Sequence, residues 1–118
     1  MEIFKEFRFE AAHYLPNVPV GHKCRNMHGH AYRVVVYLTA EADPKSGWLL
    51  DFTDLKEIFA PILDALDHKV LNKVQGLENP TVEILTMWIW KKLFPVLPVL
   101  SKVTVYETET SGCTYTGA

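Results

Sequence analysis

Two stretches of the chain alternate strictly enough to be strands, and each carries histidine on its apolar side. In Phe7-Arg8-Phe9-Glu10-Ala11-Ala12-His13 the odd positions Phe7, Phe9, Ala11 and His13 share one face. In the run from His28 to Leu38 the even positions His28, His30, Tyr32, Val34, Val36 and Leu38 do the same. Both faces are otherwise aliphatic or aromatic, so both belong against a core. Any fold that buries these strands therefore buries three imidazoles with them. Gly29, between two of them, leaves the reverse face bare for close approach by another backbone.

A single buried histidine is ordinarily just hydrogen-bonded. A His-x-His pair joined by a third histidine on an equivalent face is instead a metal-ligand pattern, since neutral imidazole is the commonest metal-binding side chain. Three imidazoles on a rigid sheet hold Zn²⁺ and leave a fourth position open for chemistry. His13, His28 and His30 are the expected ligands.

The length of 118 residues predicts one domain over 1–118, with room for one core. An apolar content of 48% belongs to a globular chain and not a disordered one. The formal charge is −2 with Lys and Arg scattered, so nothing predicts nucleic-acid binding. Cys24 and Cys113 are too few for a disulfide scaffold or a four-cysteine zinc site. The charged start Met1-Glu2-Ile3-Phe4-Lys5-Glu6 has no signal-peptide core, and no apolar run is long enough to span a membrane. A cytoplasmic protein with reduced thiols is expected.

The first strand is expected over 2–13 and the second from His28 to about Glu41, separated by a loop with Pro16, Pro19 and Gly21. Asp43-Pro44-Lys45-Ser46-Gly47 is turn chemistry. Leu55, Ile58, Phe59, Ile62, Leu63 and Leu66 then form a helical stripe, capped by Asp54 with Glu57, by Asp51 or by Thr53, and interrupted by Pro61. Asn79-Pro80 reads as an N-cap with proline at the first helical position, opening a second helix that runs to about Phe94. Trp88 and Trp90 read as packing residues of that helix. Residues 102–108 alternate as a third strand, and 114–116 make a short fourth. The order β-β-α-α-β-β gives an α+β layer, an antiparallel sheet with both helices on one face. So small a sheet leaves long bare edges, so edge-to-edge oligomerisation is expected.

Other groups have the chemistry to work beside a metal. Cys24 lies four residues before His28, between Lys23 and Arg25, a cationic setting that favours thiolate. It reads either as a fourth ligand, which would close the site, or as a nucleophile or proton carrier. Asp67-His68 follows the first helix; the aspartate either orients the imidazole for proton transfer, or the histidine simply answers the helix dipole. Glu107 shares the face of Val103 and Val105. A carboxylate there is a buried salt-bridge partner or the acceptor of two adjacent N–H groups, as on a guanidine-like ring edge. Cys113 reads as structural, and His22 carries no distinguishing signal. Lys23, Arg25 and Lys69 are the candidates for contacting phosphate.

These motifs together resemble the 6-pyruvoyl-tetrahydropterin synthase family, and the bacterial carboxy-forming branch of it in particular. The resemblance spans the chain: Phe9-Glu10-Ala11-Ala12-His13, Cys24-x3-His28-Gly29-His30, Gly47-Trp48-Leu49-Leu50-Asp51-Phe52, Leu66-Asp67-His68 with Leu71-Asn72, Glu78-Asn79-Pro80-Thr81-x-Glu83, and Glu107-Thr108. It implies a tunnelling fold (T-fold) whose protomers join through their sheet edges into a barrel, as homohexamers of two stacked trimers with active sites at subunit boundaries. It implies zinc on His13, His28 and His30, a proton-transfer triad of Cys24, Asp67 and His68, pterin anchoring by Glu107, and a pterin contact at Thr81. The three residues between cysteine and histidine are similar to the carboxy-forming type, where the animal pyruvoyl-forming enzymes have a longer spacing. The implied reaction converts 7,8-dihydroneopterin triphosphate to 6-carboxy-5,6,7,8-tetrahydropterin, with loss of acetaldehyde and triphosphate, a step of queuosine biosynthesis. The alternatives are pyruvoyl formation without carbon–carbon cleavage, and a non-catalytic zinc- or pterin-binding module. An arginine expected one place after Arg25 in relatives of this type is absent here, where Asn26 stands.

Overall fold

The computed structural model describes residues 1–118. β1 (Glu2–His13) and β2 (His28–Thr39) pair antiparallel over their whole length, from Glu2 opposite Thr39 to His13 opposite His28. β3 (Leu100–Tyr106) pairs with β2, and β4 (Gly112–Tyr115) pairs with β3, completing a sheet in the order β1-β2-β3-β4. α1 (Phe52–Leu66) and α2 (Val82–Leu93) intervene between β2 and β3 and cover one face.

The alternation read from the sequence is what builds the core. Phe7, Phe9, Tyr32, Val34, Val36, Val103 and Val105 meet Leu55, Phe59, Ile62, Leu66, Leu85, Ile89 and Leu93. The rings of Phe7 and Phe59 stack with centroids 4.0 Å apart, joining β1 to α1. Burying side chains of this size contributes roughly 1.5–3 kcal/mol each. Trp90 packs in the core, while the half-buried Trp88 packs against it and donates its indole N–H to the Gln75 carbonyl.

Several boundaries differ from the expected ones. β3 ends at Tyr106 because the chain turns there: the N–H groups of Glu107 and Thr108 both donate to the Ser111 carbonyl. Glu107 thus stands just past the strand and not within it. Pairing with β3 starts β4 at Gly112, where any side chain would run into the Val105 carbonyl. β2 ends at Thr39, with Glu41 outside it. Among the candidate caps of α1, Asp51 takes the role, accepting from the Thr53 N–H at 2.9 Å. α1 continues through Pro61, which lies on the exposed side where water can serve the carbonyl left without a donor. The cap of α2 is Thr81, whose hydroxyl accepts from the Ile84 N–H at 3.2 Å, and not Asn79. Pro80 accordingly lies outside the helix and its carbonyl is free for another partner.

The face away from the helices is polar. Arg33 lies 3.9 Å over the Tyr106 ring and pairs with Glu6 at 3.0 Å, while Lys102 sits 4.3 Å over Tyr37. The outer edge of β1 is covered only near its end. There Glu10 accepts from the His68 N–H at 2.6 Å, and the Ala12 N–H donates to Lys69 at 3.0 Å. The first part of β1 and all of β4 present bare edges.

Replacing Phe59 by Ala removes the ring that joins the layers, and a loss of about 3–5 kcal/mol is expected. It should appear in urea unfolding as a lower midpoint with an unchanged slope.

Candidate metal centre

Antiparallel pairing places His13 directly across from His28, and the two-residue period puts His30 on the same face. The three side chains converge, with one nitrogen of each within 4.8 Å of the others. The outer nitrogens settle the tautomers. Nδ1 of His13 lies 2.9 Å from the Pro80 carbonyl, and Nδ1 of His28 lies 2.7 Å from the Asn26 carbonyl. A carbonyl only accepts, so each Nδ1 carries the hydrogen and each Nε2 is a bare lone pair. Those two Nε2 atoms face each other at 3.0 Å. Two lone pairs at that distance repel unless a positive charge lies between them.

His30 makes the same case independently, because its Nε2 is buried with no hydrogen-bond partner. Burial holds both His13 and His30 below the ordinary imidazole value; the Pro80 carbonyl opposes this at His13, and the Glu107 charge opposes it at both. The imidazoles of His13 and His30 are therefore neutral at neutral pH, the form that binds metal. Carbonyl acceptors stand behind two of the three imidazoles, the arrangement that fixes ring orientation where histidine binds metal. Tyr32, in the same buried row, stacks on Phe9 at 4.9 Å and brings its hydroxyl to 3.4 Å from Nδ1 of His13. Burial raises its phenol, so it stays protonated.

Glu107 reaches this cluster, with Oε1 3.6 Å from Nε2 of His30. His30 is its ion-pair partner, and no lysine or arginine pairs with it. Cys24 is not among the converged donors. It sits in a single 3-10 turn, Lys23–Arg25, held by its own loop: the Leu15 N–H donates to its carbonyl, and its N–H donates to Nδ1 of His22. Arg25, a candidate for phosphate, spends its guanidinium inside the same loop, donating to the carbonyls of Pro16 and Val18.

Asp67 and His68 occupy other ground. They follow α1 along the β1 edge, where Asp67 accepts from the Glu10 N–H at 3.0 Å and pairs with Nδ1 of His68 at 3.0 Å. The Glu10 N–H, then His68, holds the Asp67 carboxyl below the usual range. His68 adopts a left-handed φ of 58°, uncommon for a residue with a side chain. It lines a shallow concavity of about 530 Å³ with Glu10, Ala12, Gly29, His30, Ala31 and Lys69. Glu10, Ala12, Gly29 and Ala31 belong to the strand face opposite the three imidazoles. No hydrogen bond or ion pair joins Cys24 to Asp67 or His68 within the chain. Thr81, half-buried, caps α2 beside the Pro80 carbonyl that holds His13.

A four-stranded antiparallel sheet with both helices on one face, carrying three imidazoles around a common centre, defines a T-fold protomer with a sheet-borne metal site. The chain belongs to the 6-pyruvoyl tetrahydropterin synthase family, whose model matches residues 2–118. The 6-carboxy-5,6,7,8-tetrahydropterin synthase of Synechocystis sp. is 42% identical over 96% of this chain and 91% of its own. Human 6-pyruvoyl tetrahydrobiopterin synthase is 35% identical over 98% of this chain and 91% of its own. The solved structure of Caenorhabditis elegans 6-pyruvoyl tetrahydropterin synthase aligns with a TM-score of 0.93 at 33% identity, covering 100% of this chain and 96% of that one. No helix is long and apolar enough to cross a membrane.

His28→Ala removes one donor from the rim of the sheet and leaves the core intact. Elemental analysis of the folded variant is expected to find no tightly bound metal; full retention would remove His28 from the ligand set.

Proposed function

We propose that this protein is a zinc-dependent carbon–carbon lyase that converts 7,8-dihydroneopterin triphosphate to 6-carboxy-5,6,7,8-tetrahydropterin, releasing acetaldehyde and triphosphate, in queuosine biosynthesis in the cytoplasm. The observation that carries it is the open three-imidazole centre in a chain 42% identical, across nearly its whole length, to a synthase of that name. Zinc held by His13, His28 and His30 supplies Lewis acidity toward the substrate's side-chain oxygens. Glu107, at the rim of the cluster, accepts the paired N–H groups of the pterin ring edge and so sets the side chain against the centre. Thr81 adds a donor, because its oxygen already takes the Ile84 N–H and its own proton is free. Cys24 as thiolate removes a proton, and His68, oriented by Asp67, returns or relays one. Cleavage follows in a retro-aldol sense.

The triad is proposed to form between subunits of a homohexamer. Three observations support this: the absence of any hydrogen bond or ion pair joining Cys24 to Asp67–His68, the concavity at His68, and the bare edges of β1 and β4. The radius of gyration of 15.4 Å also exceeds the roughly 13.5 Å of a compact chain of this length, and the chain extends 58 Å along one axis against 25 and 24 Å along the others, as suits an elongated protomer that packs against copies of itself.

The runner-up is pyruvoyl formation, favoured by the human and nematode relatives. Incubation with 7,8-dihydroneopterin triphosphate, followed by mass spectrometry and an acetaldehyde assay, separates the two. A carboxy-tetrahydropterin with matching acetaldehyde is expected; a pyruvoyl product without acetaldehyde would move the protein to the other branch. Cys24→Ala is expected to keep its metal and lose turnover by about 10²-fold or more. Wild-type turnover in that variant would end the catalytic assignment of Cys24.

A further inference from the structure

Asn72 has no part in the chemistry above, yet its side chain makes an unusual set of bonds. It sits in a 3-10 turn, Leu71–Lys73, beside the end of β1. Its Oδ1 accepts from the Tyr14 N–H at 3.0 Å, and its Nδ2 donates to the Tyr14 carbonyl at 2.7 Å. The same Nδ2 also lies 3.4 Å from the Glu78 carbonyl. A primary amide that both gives and receives at one residue imitates a rung of a β-ladder, so Asn72 extends the pairing of β1 past the end of the strand.

What these contacts hold is the metal ligand His13, from two sides. Tyr14 is the residue after His13, so the clamp fixes the backbone from which that imidazole projects. Glu78 lies two residues before Pro80, whose carbonyl takes the Nδ1 hydrogen of His13. The far end of the same loop is anchored separately: the Gly76 N–H donates to the Glu78 carboxylate at 2.7 Å, and Trp88 donates to Gln75. Asn72 therefore closes the near end of a loop that is otherwise tied to α2. We propose that Asn72 is a positioning residue of the metal centre: it locks the His13 backbone and the Pro80 carbonyl in one frame and so aims Nε2 of His13 at the ion. This rests on the metal reading of the three imidazoles.

The test uses Co²⁺, whose visible absorption reports ligand geometry, on the wild type, His13→Ala, Asn72→Ala and Asn72→Asp. Asn72→Asp keeps the size and the Tyr14 N–H acceptor but loses both donated bonds. Phe59→Ala serves as a destabilised control distant from the clamp. Chelator competition gives the Co²⁺ dissociation constant, and circular dichroism with thermal melting of the metal-free proteins gives folding.

Both Asn72 variants are expected to fold, to bind Co²⁺ about 10- to 100-fold more weakly, and to shift its absorption bands, while Phe59→Ala keeps wild-type bands and affinity. In the His13→Ala background, Asn72→Ala should cost no further affinity, because the two act through one ligand. Wild-type affinity and bands in the Asn72 variants would overturn the inference and leave the metal reading standing. So would a loss no greater than in Phe59→Ala, a full further loss on top of His13→Ala, or failure of both Asn72 variants to fold. A wild type that binds no Co²⁺, or His13→Ala that binds it as the wild type does, would instead overturn the metal reading itself.

Discussion

Pairing of β1 with β2 sets His13 opposite His28, and the site depends on that register. A slip of one residue would carry the histidines of one strand to the polar side and leave the other strand's behind. The register is not held by the histidines, whose facing lone pairs oppose it in the absence of an ion. It is held by Phe7, Phe9, Tyr32, Val34, Val36 and Leu38, which reach the helices only in this alignment. The core thus carries the cost of assembling a site that disfavours its own closure.

The same reasoning explains why so much was legible in the sequence. A period of two in Phe7–His13 and His28–Leu38 fixes both the strands and the face on which the imidazoles emerge. The stripe from Leu55 to Leu66 fixes the helix that covers them. What could not be read lies in groups that carry no sequence signal. The acceptor behind His13 is a main-chain carbonyl contributed from Pro80, far along the chain. Asn79 and Thr81 are both good caps, and only the fold chooses between them. Arg25 looks like a surface cation by composition, and its guanidinium is consumed by two loop carbonyls. Glu107 sits in an alternating run that stops one residue before it, because Ser111 offers a competing acceptor. That Asp67 and His68 lie along the β1 edge, with His68 over the reverse face, depends on how the chain leaves α1, which no local pattern encodes.

The two faces of the sheet divide labour. One packs its aliphatic and aromatic rows under the helices and carries the imidazoles at its end, where His28 and His30 are only half-buried. The other is laced with Glu6, Arg33, Tyr106, Lys102 and Tyr37, pairs that stay comfortable in water. The charged groups of those pairs keep their hydration there, which an exposed ion pair needs.

Both orienting acceptors in the metal centre, at Asn26 and Pro80, are backbone atoms. No codon change at either position can delete a carbonyl, so the tautomers of His13 and His28 are shielded from ordinary point mutation at their own acceptors. Inheritance can drift there in side-chain identity while the ligand geometry persists. Beyond the imidazoles themselves, the exposure lies at positions that steer the path of the chain, so loss of metal in natural variants can trace to residues that never touch it.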